Sequence, residues 1–232
     1  MSHVIAVLEQ ADDRKVLGAA EALASLLGVD TQRLHVDRSG RQAAVREVLT
    51  AIARDDVEAA VLNAQKEDSV CWDVMQRASK PLLVLPRPSD RITNRISGIL
   101  VPLDGTQATA ASVAQMAERA LSAGVRVVGM HVFDTTTVPA FWDQAAHSHV
   151  CWTEEFRHKN LPAGVDLDLC RGDTPEEVLA EARRTDVDVI MIGWSQNLGE
   201  GRAPTVRRTL MEGVLPVLLV STSPRPAGVR RI

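Results

Sequence analysis

Residues 187–221 read VDVIMIGWSQNLGEGRAPTVRRTLMEGVLPVLLVS. An apolar run, Val187 to Ile192, meets Gly193 and then a polar loop carrying Gly199 and Gly201. Pro204 stands where a helix starts, and Arg207 and Arg208 follow on it. Leu215 to Val220 is a second apolar run. Strand, loop, helix and strand in this order make a βαβ unit, which requires a parallel sheet.

Working outward, short β-branched runs alternate with helical patterns along the whole chain, so the fold class is α/β. In the first half, VIAVLE (4–9), RLHV (33–36), VEAAVLNA (57–64) and PLLVLP (81–86) read as strands. Val16, Ala19, Ala20, Leu23 and Leu27 recur at helical spacing, and Gly28 ends that helix. Val45, Val48, Leu49 and Ile52 mark a second helix, and SVCWDVMQRAS (69–79) a third.

The second half repeats the first. GILVPLD (98–104) echoes HVIAVLE (3–9), with Asp104 in the place of Glu9. Gly124 precedes His131-Val132 by the same interval that separates Gly28 from His35-Val36. VDVIMIGWS echoes VEAAVLNAQ, and LPVLLV echoes KPLLVL. One difference is large. Twenty residues separate Val36 from Val57, whereas 54 separate Val132 from Val187. The additional length is one βα unit, which includes VDLDLCRGDTPEEVLAEA (165–182). There Thr174 is the expected N-cap, Pro175 the first helical residue and Glu177 the partner in a capping box. The chain is therefore expected to hold a four-strand unit over residues 1–88, a five-strand unit over 96–222 and a flexible tail over 223–232. The polar, proline-containing RPSDRITNR (87–95) links the two units. This reading stands on duplication, and a single undivided sheet, or strands wound in a different order in the two halves, would end it.

Bulk composition excludes several classes. Net charge is −4, which gives no electrostatic attraction for nucleic acid or a membrane surface. No apolar run reaches membrane-spanning length, and MSHVIAVLEQADD is too short in its apolar part for a signal peptide. The three cysteines, Cys71, Cys151 and Cys170, form no metal-type pair and read as reduced thiols of a cytoplasmic protein.

With these motifs in order, the second half resembles a universal stress protein domain, and residues 1–88 resemble it more faintly. ILVPLDGT is similar to that family's opening strand and aspartate, VVGMHVFD to its second strand, and CRGDTPEEVL to the turn after its third. VDVIMIG with LPVLLVS is similar to its closing βαβ. The resemblance implies two doubly wound, Rossmann-like parallel-sheet units in tandem, with strand order 3-2-1-4-5 in the C-terminal one. It also implies dimers, or internal pairing of tandem units. The closing strands PLLVLP and LPVLLVS are apolar at consecutive positions, so pairing through them is expected, within the chain or with a second copy.

Members of the family that bind ATP or AMP carry Gly-x-x-Gly, nine residues, then Gly-Ser/Thr after the fourth strand. Glycines let backbone approach phosphate, and the hydroxyl and N–H groups of a helix N-terminus hold it. Gly193 matches the first glycine, but Gln196 stands at the second. The Gly-Ser position falls on Ala203-Pro204, three residues too early. Proline offers no N–H, so one phosphate contact is lost. Thr205 supplies a hydroxyl if the helix start slides by one residue. Gly199 and Gly201 soften the loop, and Arg202, Arg207 and Arg208 add positive charge. By the resemblance, Asp104 contacts the adenosine portion, Thr106 accompanies it, and Val127 walls the adenine. Asp104 equally suits a turn before the following helix. In the first half Glu9 and Asn63 replace the aspartate and the glycine, Ser69 remains as an N-cap, and no nucleotide is expected.

The nucleotide site therefore reads as degenerate. The expected function is a non-enzymatic stress-response or signalling module that acts through protein contacts. The alternative is an adenine-nucleotide sensor with a rearranged loop. Trp194 is read as filling the pocket, and His35 and His131 as structural. A stripe of His147, Cys151 and His158 has usable zinc spacing, but Phe141, Ala145, Trp152 and Phe156 make the same segment an ordinary packing helix. No nucleophile elbow, HExxH or Walker lysine is present, so no enzyme is expected.

Overall fold

The structure is a computed structural model and describes residues 1–9, 13–37, 40–64, 69–86, 94–133 and 146–222. The tail over 223–232, most of the 87–95 linker, and Phe141 and Ala145 lie outside these, as do the side chains of His147 and His149.

In the first half the order is β1 (His3–Leu8), α1 (Arg14–Leu27), β2 (Asp30–His35), α2 (Arg41–Ile52), β3 (Val57–Asn63), α3 (Val70–Met75) and β4 (Leu82–Leu85). In the second it is β5 (Gly98–Leu103), α4 (Gln107–Ser122), β6 (Arg126–Phe133), α5 (Ala146–Asn160) and β7 (Asp166–Arg171). Then follow α6 (Thr174–Arg184), β8 (Val189–Trp194), α7 (Pro204–Glu212) and β9 (Val217–Ser221). All nine strands form one sheet, ordered β2-β1-β3-β4-β9-β8-β5-β6-β7. From β9 to β7 the second half has the expected 3-2-1-4-5 winding, and the first half has the same winding without its outermost strand.

The sheet is undivided, the first of the two observations named as ending the duplication reading; the second, a different winding in the two halves, is not met. Every strand pair is parallel except β4 with β9, the closing strands of the two halves. They pair antiparallel, with Leu82 opposite Leu219, Leu83 opposite Leu218 and Val84 opposite Val217. Aligned on Pro81 and Pro216, Leu83 and Leu218 are equivalent positions, so each faces its own counterpart. The junction thus has the self-complementary form of a two-fold interface. Equivalent bonds recur on either side: Ala60 N–H donates to Pro81 O at 3.1 Å, and Ile190 N–H to Pro216 O at 3.0 Å.

Because β4 and β9 are interior strands, both their faces are buried. Val217, Leu218 and Leu219 are each at most 2% exposed. Alternate residues feed two cores, one on each face of the sheet. Leu82, Val84, Val217 and Leu219 join residues of α2, α3, α6 and α7. Leu83 and Leu218 join residues of α1, α4 and α5. Each core runs continuously across the join. Gly28 and Gly124 end α1 and α4 with φ of 67° and 74°, where an added Cβ would meet nothing. Left-handed backbone, not space, requires glycine at both.

The start of α6 differs from expectation by one residue. Asp173, not Thr174, is the N-cap, and its carboxylate accepts from Glu176 N–H at 3.2 Å. Ser69 does cap α3 by position, but its hydroxyl makes no capping bond.

Candidate functional site

The helix after β5 and the helix after β8 lie on opposite faces of the sheet, so the chain parts at the C-terminal ends of these neighbouring strands. Open α/β sheets bind ligands at such a point. Here it opens a cavity of about 740 Å³, whose lining includes Asp104, Thr106, His131, Gly193, Arg202 and Thr205.

Asp104 ends β5 and organises the turn into α4. Its Oδ1 accepts from Thr106 N–H at 2.9 Å and from the Thr106 hydroxyl at 2.8 Å. That hydroxyl in turn accepts from Thr109 N–H, at 3.3 Å, as the N-cap of α4. Thr106 is thereby committed to the turn, while the other Asp104 oxygen stays on the exposed rim.

Gly193 is needed for close approach. A Cβ there would lie 2.5 Å from Ser112 Oγ and 3.2 Å from Thr109 O, so α4 seats directly on β8. Trp194 lines the cavity yet is only 6% exposed, packed in the core beneath it. It forms floor and does not occlude the opening.

The loop after β8 is held largely by the first half of the chain. Gln196 takes left-handed backbone, φ 59°, and its amide donates to Met75 O at 3.1 Å and Ala78 O at 2.8 Å. The Ser221 hydroxyl donates to Gln196 Oε1 at 2.9 Å. Arg207 donates to Leu198 O, and its guanidinium lies 5.8 Å from the centroid of the Trp72 ring. Arg208 pairs with Asp173, Glu176 and Glu212. Of the three arginines, only Arg202 lines the cavity, and among the described residues its side chain has no ion pair. Ala203, φ 49°, precedes Pro204 at the start of α7. Pro204 carries no N–H, and Arg207 N–H bonds Ala203 O. The leading free donors are therefore Thr205 and Val206 N–H.

Of the residues singled out by sequence, Asp104, Thr106, Gly193 and Thr205 meet at the cavity. Gly199 and Gly201 belong to the loop but not to the lining; Gly199 N–H is taken by Asn197 Oδ1 at 2.9 Å. Val127 is elsewhere. It is 4% exposed near the start of β6, in the core on the α1 and α4 face, far along the strand from the opening. The adenine wall read at Val127 needs correcting, because side chains that reach a strand's C-terminal crevice come from its last residues.

Those last residues are His131, Val132 and Phe133, all of which line the cavity and to which sequence reading assigned no binding role. His131 Nδ1 lies 2.7 Å from Leu103 O, and its ring is 4.6 Å from both Phe133 and Phe156. Trp152 stacks on Phe156 at 4.9 Å. A usable signal was present, since His131 stands one residue beyond Met130 in register with Leu103, immediately before Asp104.

Among the described residues no group of three or more His, Cys, Asp or Glu could hold a metal ion. Burial pushes the Cys170 thiol up to about 11, with Glu181 and Glu177 adding to it, and burial raises Cys71 as well. Neither is a thiolate at neutral pH.

The universal stress protein family matches residues 96–221, more than half of the 232-residue chain. No curated protein matches it. Solved structures similar to it include a universal stress protein from Archaeoglobus fulgidus DSM 4304. That structure has a TM-score of 0.59 and 14% identity, with 96% of this chain and 88% of that one covered. A putative universal stress protein from Pseudomonas aeruginosa UCBPP-PA14 gives 0.54 and 14%, covering 95% and 93%. A protein of unknown function from Pseudomonas aeruginosa PAO1 gives 0.56 and 14%, covering 94% and 81%. The chain belongs to the universal stress protein family.

Proposed function

We propose that this member of the universal stress protein family is a non-catalytic stress-response module that holds a small adenine nucleotide, AMP in preference to ATP. In this reading residues 96–222 form the binding unit, and residues 1–88 are a shortened copy that has become its support. The observation that carries the proposal is the open 740 Å³ cavity at the point where strand order reverses. That is ample for a nucleotide, since ligand pockets run from roughly 300 to 1,000 Å³.

The donors set the size of the ligand. Thr205 and Val206 N–H, the Thr205 hydroxyl and Arg202, which has no ion pair among the described residues, can surround one phosphate. A triphosphate needs a longer cradle, and here Pro204 removes a donor while Gln196 ties the loop to residues 75 and 78. The free oxygen of Asp104 would accept from ribose hydroxyls, and the His131 and Phe133 rings offer the base an apolar wall. Three free cysteines suit a reducing, cytosolic compartment.

A second reading has its own observation. Gln196 and Arg207, at the heart of the phosphate loop, are spent on contacts with the first half. On that reading the loop is a structural seam, and the protein acts through partner proteins alone. Mass spectrometry of the gently purified protein and thermal shift with AMP and ATP separate the two. AMP that co-purifies, and that raises the melting temperature in the parent but not in Arg202→Ala or Thr205→Ala, supports the sensor. An empty protein unmoved by either nucleotide leaves the protein-contact module.

A further inference from the structure

A second crevice, of about 570 Å³, crosses the β4–β9 join on the α4 side; it lies apart from the first cavity and shares with the second reading only Gln196, whose amide already bonds Met75 O and Ala78 O. From the first half, the turn between α3 and β4 supplies Arg77, Ser79 and Lys80, and β3 supplies Glu58. From the second, α4 supplies Ser112, Gln115 and Arg119, and β9 supplies Ser221. Three cations thus face one carboxylate, in a chain whose net charge is −4.

The pairing within the crevice leaves a positive excess. Arg119 is committed: it donates to Glu58 Oε2 at 3.1 Å and to Leu27 O at 2.8 Å. Arg77 and Lys80 have no ion pair or side-chain hydrogen bond among the described residues. Lys80 is moreover half-buried, an unfavourable place for an ammonium with no counter-charge. The remaining lining is split between hydroxyl or amide groups and an apolar floor of Pro81, Met116 and Val220.

We propose that this crevice binds a small phosphorylated molecule that also carries hydroxyl groups, a sugar phosphate in chemical class. Arg77 and Lys80 take the phosphate, an anion that both side chains recognise by charge and several donors. Gln115, Ser79 and the unpaired oxygen of Glu58 take the hydroxyls. The volume exceeds what inorganic phosphate alone would fill, and the carboxylate would repel a ligand that was anionic throughout. The bound molecule touches both halves, so it fastens the join.

The test uses the full chain with ribose 5-phosphate, inorganic phosphate and ribose as probes, read by thermal shift and calorimetry. Ribose 5-phosphate is expected to raise the melting temperature and to bind more tightly than inorganic phosphate, with ribose inert. Arg77→Gln with Lys80→Gln should weaken its binding about tenfold or more. Among the described residues neither side chain has an ion pair or hydrogen bond to lose, so the variant should melt no lower than the unliganded parent. Arg202→Ala, in the other cavity, should bind ribose 5-phosphate as the parent does. The proposal is overturned by any of three results: no binding to the parent, equal binding to the Arg77/Lys80 variant, or equal affinity for inorganic phosphate. Loss in Arg202→Ala with retention in the Arg77/Lys80 variant would move the phosphate to the first cavity and overturn it too. Ribose 5-phosphate is AMP without its base, so the two variants, and not binding to the parent alone, separate this crevice from the first cavity.

Discussion

Gly193 and Gln196 sit three residues apart and fail differently when changed. Gly193→Ala puts a methyl against Thr109 O at 3.2 Å and Thr109 Cγ2 at 3.0 Å, atoms fixed by α4. Overpacking of this kind costs roughly 1–3 kcal/mol, so chemical denaturation should show a lower midpoint with an unchanged slope. Gln196→Ala removes two donors from the Met75 and Ala78 carbonyls and keeps a side chain on left-handed backbone. Each lost bond is worth about 1 kcal/mol. Gln196→Gly loses the same bonds but relieves the left-handed penalty of about 1–2 kcal/mol. The glycine variant should therefore melt higher than the alanine variant, although alanine is ordinarily the more stabilising residue. Equal melting temperatures would mean the conformation at 196 carries no strain. Sequence could show that a family glycine was missing at 196. It could not show that the substituted amide would find acceptors some 120 positions away. Side-chain partners of that separation leave no trace in local spacing.

Elements were more legible than their ends. The strands and helices follow from periodicity, and the additional βα unit came from counting alone. The cap of α6 did not, because Asp173 and Thr174 are both good N-cap residues and only geometry chooses between them. Asp173→Ala should cost about 1 kcal/mol, whereas Thr174→Ala should be nearly silent; thermal melts of the pair decide it. The flank of β7 against α6 adds a pH effect. Burial raises the Asp168 carboxyl above its ordinary 3.8, and the neighbouring Glu181 carboxylate raises it further, against the opposing pull of Arg184. A carboxyl raised in the folded state binds its proton more tightly there than when unfolded. Its contribution is therefore greatest below 3.8 and is lost as pH climbs through the raised value. Asp168→Asn removes a charge that the fold disfavours. The variant should gain stability relative to the parent between acid and neutral pH, with little difference at the acid end. Arg184 is 64% exposed, so the ion pair surrendered is worth only a fraction of this. A variant that loses stability uniformly across pH would show that the Arg184 bond outweighs the repulsion.

At the scale of the whole molecule, the like winding of the two halves has its counterpart in shared punctuation: Gly28 with Gly124, Pro81 with Pro216. What the sequence left open was whether the closing strands meet each other or a second chain, since consecutive apolar residues suit either. The register resolves the geometry within this chain, for Leu83 faces Leu218, its own counterpart. A shortened first half then has a physical role. It need not bind anything to be retained, because it covers a strand whose outer edge would otherwise meet water. Remove it, and β9 becomes an edge whose unpaired N–H and C=O groups are a template for pairing with another chain. The same edge is self-complementary, as the β4–β9 register already demonstrates in cis. Residues 94–222 expressed alone should therefore form dimers, seen by light scattering, through antiparallel pairing of two β9 strands. Lys in place of Leu218 should return that fragment to a monomer or prevent its folding, while in the full chain the same change should lower stability without altering the mass in solution. A monomeric fragment with Leu218 intact would mean that the first half is retained for something other than the edge it covers.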